Sequence, residues 1–325
     1  MASFWKGKRI LVTGGSGFIG SHLVERLLDD GARLRVTGRS AERFVRSLGR
    51  RASDVEFLSG DLGEEPFARD ACRDQEMVFH LAAHVGGVGY NSTHPGTLLY
   101  ENGRVGLNVL DAAARLGLER ILLTSSACVY RRDALVPTPE SEGFVDDPEE
   151  TNLGYGWAKR LLEVQARCYA QQFPIKVALP RPYNSYGPRD DFAPETSHVI
   201  PALIRKVLEG TDPIEVWGDG SQTRSFVYVS DFVEGLLRVM ELHPACEPVN
   251  IGSAEEVRVG DLIQLIIELC GSRSRVKFDP SRPSGQPRRV GDYSLAKRLL
   301  GFEAKVPLAK GLAETIEWYR ASRTA

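Results

Sequence analysis

"ILVTGGSGFIG", residues 10–20, decides the fold. An apolar run leads straight into Gly14, Gly17 and Gly20, spaced three apart, and the chain then turns helical in "GSHLVERLLDDG" (20–31). In a strand–turn–helix setting the first glycine permits the tight turn and the second lets the backbone approach a pyrophosphate. The third lets helix and strand pack closely. Backbone N–H groups at the helix start, carrying its partial positive charge, suit phosphates. Ser16, Phe18 and Ile19 belong to the same loop. The stretch predicts a dinucleotide site at the carboxyl end of a first β-strand.

The rhythm continues outward from there. Further strand candidates are "RLRVTG" (33–38), "VEFLSGD" (55–61), "MVFHLAA" (77–83), "RILLTSS" (120–126) and "IKVALPR" (175–181). Helical stretches between them include "GLNVLDAAARLG" (106–117) and "GWAKRLLEVQARCYAQQF" (156–173). Strand and helix alternating this way mean βαβ units and a parallel sheet covered on both faces, a doubly wound α/β fold of the Rossmann kind. After residue 181 the rhythm breaks in "RPYNSYGPRDDFAPETSHVIP", rich in Pro, Asp and Ser. Residues 1–180 are therefore read as the dinucleotide-binding domain, with the chain returning to it at about 226–250. Residues 181–225 and 251–325 form a smaller substrate-binding lobe.

With 325 residues and a formal net charge of −2, the chain offers no basic field for nucleic acid or an anionic membrane. Five dispersed cysteines without zinc-ligand spacing predict reduced thiols, a cytoplasmic setting and no metal.

The second strand of such a fold normally ends in an acid that binds the adenosine ribose 2′-hydroxyl. Here it ends "VTGRS", with Gly38 and Arg39 and no carboxylate. A guanidinium at this place suits a 2′-phosphate, so NADP(H) is favoured and NAD(H) stays open; a solvated arginine face is the alternative. Asp61 is a candidate acceptor for the adenine amino group. Ala82 and Ala83 are small enough to make room for the cofactor, or for core packing.

"YGWAK" puts Tyr155 and Lys159 on one helix face. A phenol, with an ordinary pKa near ~10, needs help to act at neutral pH, and a neighbouring ammonium is expected to lower it. Tyr155 could then move a proton while hydride passes between a sugar carbon and the nicotinamide. Ser126, in "TSSACVY", could bond the same substrate oxygen. Cys128, two residues on, is either a buried spacer or a thiol facing the pocket.

Together, T-G-G-S-G-F-I-G, "GDL", "HLAA", "SS", Y-x-x-x-K and "RPYNSYGP" resemble the extended short-chain dehydrogenase/reductases that epimerise or dehydrate nucleotide sugars. The resemblance covers nearly the whole chain. It implies a nicotinamide cofactor, a nucleotide sugar between two lobes, and a homodimer formed through helices near 98–116 and 155–172. "HLAAHVGGVGYN" and "SSACVY" resemble the GDP-mannose 3,5-epimerase and GDP-L-fucose synthase branches, and "GPRDDFAPETSHVIPALIRK" is most similar to the synthase. In those families the cysteine matching Cys128 is an acid–base, and in the synthases the histidine matching His198 is its partner. A C4 carbonyl acidifies the protons at C3 and C5, and inversion needs a base on one ring face and an acid on the other. Thiol and imidazole can both serve.

The resemblance further implies Leu62, Leu81 and Pro182 around the cofactor and Gly87, Asn184, Arg205, Trp217, Arg224, Arg282 and Arg288 around the substrate. Arg224 would clamp the diphosphate. Trp217 either packs beside the substrate or covers the small lobe. Arg205 either contacts phosphate or lies on an exposed basic face. The expected chemistry is C3/C5 epimerisation of a GDP-linked 4-keto hexose, with NADPH reduction of C4 as a second step. A nucleotide-hexose 4-epimerase, a 4,6-dehydratase and a non-catalytic dinucleotide-binding regulator are the alternatives.

Overall fold

The computed structural model describes residues 3–282 and 286–324. In chain order the strands are β1 (Arg9–Thr13), β2 (Arg33–Gly38), β3 (Glu56–Ser59), β4 (Met77–His80), β5 (Arg120–Leu123), β6 (Lys176–Pro182), β7 (Asn184–Tyr186), β8 (Ile214–Trp217), β9 (Thr223–Tyr228), β10 (Ala245–Ile251), β11 (Glu256–Arg258), β12 (Val276–Asp279) and β13 (Arg288–Arg289). The helices are α1 (Phe18–Asp29), α2 (Ala41–Leu48), α3 (Glu65–Cys72), α4 (Val88–Thr93), α5 (Pro95–Arg115), α6 (Leu153–Gln172), α7 (Val199–Leu208), α8 (Val229–Leu242), α9 (Val259–Leu269), α10 (Ser294–Leu300) and α11 (Leu308–Thr324). No helix of the described residues is long and apolar enough to cross a membrane.

Seven strands form one sheet in the order β10-β6-β5-β4-β1-β2-β3, every pairing parallel. The strand order reverses between β1 and β4, which opens a crevice at their carboxyl ends. Strand alternation sends neighbouring residues to opposite faces. Ile10 and Val12 join α1, α2 and α8 in one core through Leu23, Leu27, Phe44 and Leu236. Leu11 joins α3, α5 and α6 in the other through Ala71, Leu110 and Leu162.

The expected strands are present with close to the expected bounds. The helix read at 106–117 starts much earlier, at Pro95. The rest of the chain builds two small sheets. β9 pairs with β7, β11 and β13, and β8 pairs with β12. The chain rejoins the large sheet through α8 and β10, which pairs in parallel with β6.

Candidate active site

The glycine loop closes over backbone. Gly14 has φ 69°, and a Cβ there would stand 2.9 Å from the Ala82 backbone at the end of β4. A Cβ on Gly20 would stand 2.2 Å from Gly14 O. Thr13 Oγ1 accepts from Leu81 N and Ala82 N, both at 3.1 Å, and bonds His80 Nδ1 at 2.9 Å. α1 begins at Gly17 with no side-chain cap and no acid in its first turn, an arrangement open to an anionic pyrophosphate. These features fit a dinucleotide. Ser16 O is held by Ser47 Oγ at 3.0 Å. A Cβ at Gly38 would lie 2.8 Å from Ser16 Oγ, and Arg39 beyond it is exposed. Asp61 already serves the protein: it accepts from Gly63 N at 2.8 Å and from Arg104 Nη2 at 3.2 Å. Leu62 is buried, Leu81 and Pro182 are half-buried, and Ala83 is exposed.

The second cluster forms where α6 meets the end of β5. Lys159, 4% exposed, donates from Nζ to Thr124 O at 2.7 Å and lies 5.4 Å from the Tyr155 ring centroid. Burial pushes its pKa down to about 8, with Cys128 and Glu163 opposing the fall. Ser126 bonds the Tyr155 hydroxyl and accepts from Cys128 N at 3.0 Å. The phenol corrects an expectation. Its pKa stands above the ordinary range, first because of burial and then because of Cys128; Ser126 and Arg289 only temper the rise. Lys159 turns its ammonium to a backbone carbonyl, so desolvation wins.

The arginines supply a second correction. Arg288, expected at the substrate, is exposed and ion-paired to Glu256 at 2.8 and 2.9 Å. Its neighbour Arg289 enters the crevice instead, and Arg289 Nη2 lies 3.3 Å from Cys128 Sγ while Nε has no partner. Arg289 pairs in strand register with Arg224 across β13 and β9. Burial, then Arg289, pushes Arg224 down to about 10, with Glu149 opposing. Two guanidiniums brought together on adjacent strands suit an anion. The sequence reading missed Arg289, because the two-residue strand β13 carries no period in the sequence that would show which of the two arginines turns inward.

His198 stands at the N-cap of α7, exposed to the crevice. Desolvation lowers its pKa, Asp191 opposes, and Arg289 lowers it further. Arg289 thus touches Cys128, and its charge is felt at His198. Gly87 N donates to Thr196 O at 3.1 Å, tying the glycine-rich loop to the segment that carries His198. Trp217, 39% exposed, lies 3.6 Å from where a Gly89 Cβ would be, with Arg282 over its ring at 5.8 Å. Asn184 Nδ2 donates to Ser225 O at 3.0 Å. Arg205 spends one guanidinium nitrogen on Glu209 at 3.1 Å. Residues 283–285 of the stretch "RPSGQPRRVGD" lie outside the described residues.

A parallel seven-stranded sheet, an uncapped glycine-loop helix and a Ser–Tyr–Lys cluster beside them define a nicotinamide-dependent sugar-modifying enzyme. The model of the NAD dependent epimerase/dehydratase family matches residues 10–252, and the chain belongs to that family. It is an NAD(P)-dependent enzyme of the nucleotide-sugar epimerase and reductase type. Its relatives include a probable GDP-L-fucose synthase of Oryza sativa subsp. japonica, 35% identical over 97% of this chain and 92% of the relative. A dTDP-4-dehydro-6-deoxy-D-allose reductase of a Streptomyces species is 34% identical over 98% of both chains. Among solved structures, the UDP-glucose 4-epimerase of Thermotoga maritima with UDP-glucose superposes with TM-score 0.88 at 31% identity, covering 97% of this chain and 99% of that one.

Proposed function

We propose that the chain epimerises C3 and C5 of a nucleotide-linked 4-keto hexose and then reduces the C4 ketone, with GDP the favoured nucleotide. The observation that carries this reading is the Cys128 thiol in contact with Arg289 and next to Ser126 and Tyr155, with His198 in the field of the same guanidinium. A reductase needs only the phenol, the lysine and the serine. A thiol and an imidazole around one cation supply the additional acid and base that inversion of a carbon next to a carbonyl requires. His198, with its pKa lowered, is a neutral imidazole at neutral pH and can take a proton.

Ser126 and Tyr155 would hold the C4 oxygen while charge develops on it. The raised pKa of Tyr155 keeps the phenol protonated until that charge appears, which suits a proton donor. A bound nicotinamide would supply the hydride to C4. Arg224 and Arg289 are offered as the diphosphate clamp, with Trp217 and Asn184 along the sugar. The lobe built by residues 181–225 and 251–325 would hold the nucleotide.

NADP(H) is favoured because β2 ends in Gly38 and exposed Arg39, which leaves no carboxylate to repel a 2′-phosphate. Five free cysteines suit a reducing cytoplasm. Leu99, Tyr100, Trp157, Leu161 and Val164 are exposed along α5 and α6, which supports a homodimer formed through those helices.

Reduction without inversion is the second reading, favoured by the likeness to the allose reductase. Incubation in D2O without NADPH separates the two. With GDP-4-keto-6-deoxymannose we expect deuterium at C3 and C5, and loss of exchange in Cys128→Ser. Substrate reduction by NADPH with no exchange in the wild type would leave a simple reductase. Repeating the assay with dTDP- and UDP-linked 4-keto sugars identifies the base.

A further inference from the structure

Glu163 has no part in the chemistry so far. Tyr155, Lys159 and Glu163 follow at four-residue steps along α6, so they share a face. Three consecutive residues leaving β5 meet that face. Thr124 O accepts from Lys159, Ser125 Oγ donates to Glu163 Oε1, and Ser126 bonds Tyr155. Each residue of the strand end is therefore tied to a different residue of the helical stripe.

Glu163 also receives Arg181 from β6, Nε at 2.8 Å and Nη2 at 2.7 Å, and both side chains are 1% exposed. Arg181 is held in turn by Tyr130 Oη at 3.2 Å and Glu140 O at 2.6 Å. One buried carboxylate therefore stands near two buried cations, Arg181 in direct contact and Lys159 through space.

We propose that Glu163 is a positioning residue of the reacting centre: its carboxylate fixes the register of the β5 end against α6 and supplies the counter-charge under which Lys159 stays an ammonium. The inference rests on the reading in which Lys159 supports Tyr155. Facing Lys159 are Tyr155 and Glu163 from α6, Cys128 from the turn after β5, and His80 from β4. Burial pushes His80 down to about 3, so it is neutral and cannot balance the ammonium. Burial pushes Lys159 towards the neutral amine, and the Glu163 charge resists.

The direct test is NMR titration of protein labelled with 13Cε-lysine, the Lys159 signal being assigned by its loss in Lys159→Arg. In Glu163→Gln the Lys159 midpoint is expected to fall by about one pH unit. Glu163→Gln combined with Arg181→Met leaves no unpaired buried cation and serves if the Gln variant alone does not fold; its midpoint should fall below the wild-type value as well. A carboxylate with a merely structural role would lower stability and leave the midpoint in place, and an unmoved midpoint in a folded variant overturns the proposal. In the NADPH-dependent reduction of a nucleotide-linked 4-keto hexose, the alkaline limb of kcat should move to lower pH in Glu163→Gln, because the ammonium is lost sooner. A wild-type protein inert on every such sugar would remove the proposed reaction, and the lysine titration would still decide the role of Glu163.

Discussion

Arg288 and Arg289 sit one residue apart, yet one is tied to Glu256 at the surface and the other touches Cys128. Strand geometry makes that difference unavoidable, because successive side chains leave a strand on opposite faces. It also makes the pair a sharp probe. Arg289→Met removes half of the proposed diphosphate clamp, and KM for the nucleotide sugar is expected to rise about tenfold or more. Arg288→Met loses an exposed ion pair and should change KM less than about twofold. Steady-state kinetics on both variants check this, and equal effects would contradict the assignment. At the same scale, Tyr155 shows why residue identity alone misleads. The four-residue spacing to Lys159 was legible, but the direction of the phenol's pKa was set by the apolar walls and by Cys128, which come from distant parts of the chain.

Elements were legible where their period was strong. β2 lies at Arg33–Gly38, as its alternation of apolar and polar residues implied. α5 begins at Pro95, ahead of the stretch read as helical, and runs through Gly96, Gly103 and Gly106. In the fold, a Cβ on Gly106 would approach Leu162 of α6 to 2.8 Å, so close helix packing uses the missing side chain and tertiary gain overrides propensity. The glycine loop carries a prediction of its own. Gly20→Ala forces a methyl group against Gly14 O and the Gly15 backbone. Overpacking of this kind costs about 1–3 kcal/mol, and the displaced loop should also weaken dinucleotide binding. Urea unfolding together with cofactor titration measures both effects. A variant with unchanged midpoint and affinity would show that the loop has room the geometry denies.

At the scale of the whole molecule, the exposed apolar residues on α5 and α6 form the surface most in need of a partner. Leu161→Glu combined with Trp157→Glu places charge on that face. If two copies pair there, light scattering should show the mass falling from two chains to one. An unchanged mass would move the interface elsewhere. The class of fold was legible in the sequence, as were the glycine loop and the closeness of Tyr155 to Lys159, because turn chemistry and side-chain period act over short stretches and are written locally. Packing set which of Arg288 and Arg289 meets Cys128, tied Asp61 to Arg104, and buried Glu163 and Arg181 behind the lysine. Those contacts join residues far apart in the chain. Their burial and electrostatics exist only after the elements have packed, and local patterns carry no record of them.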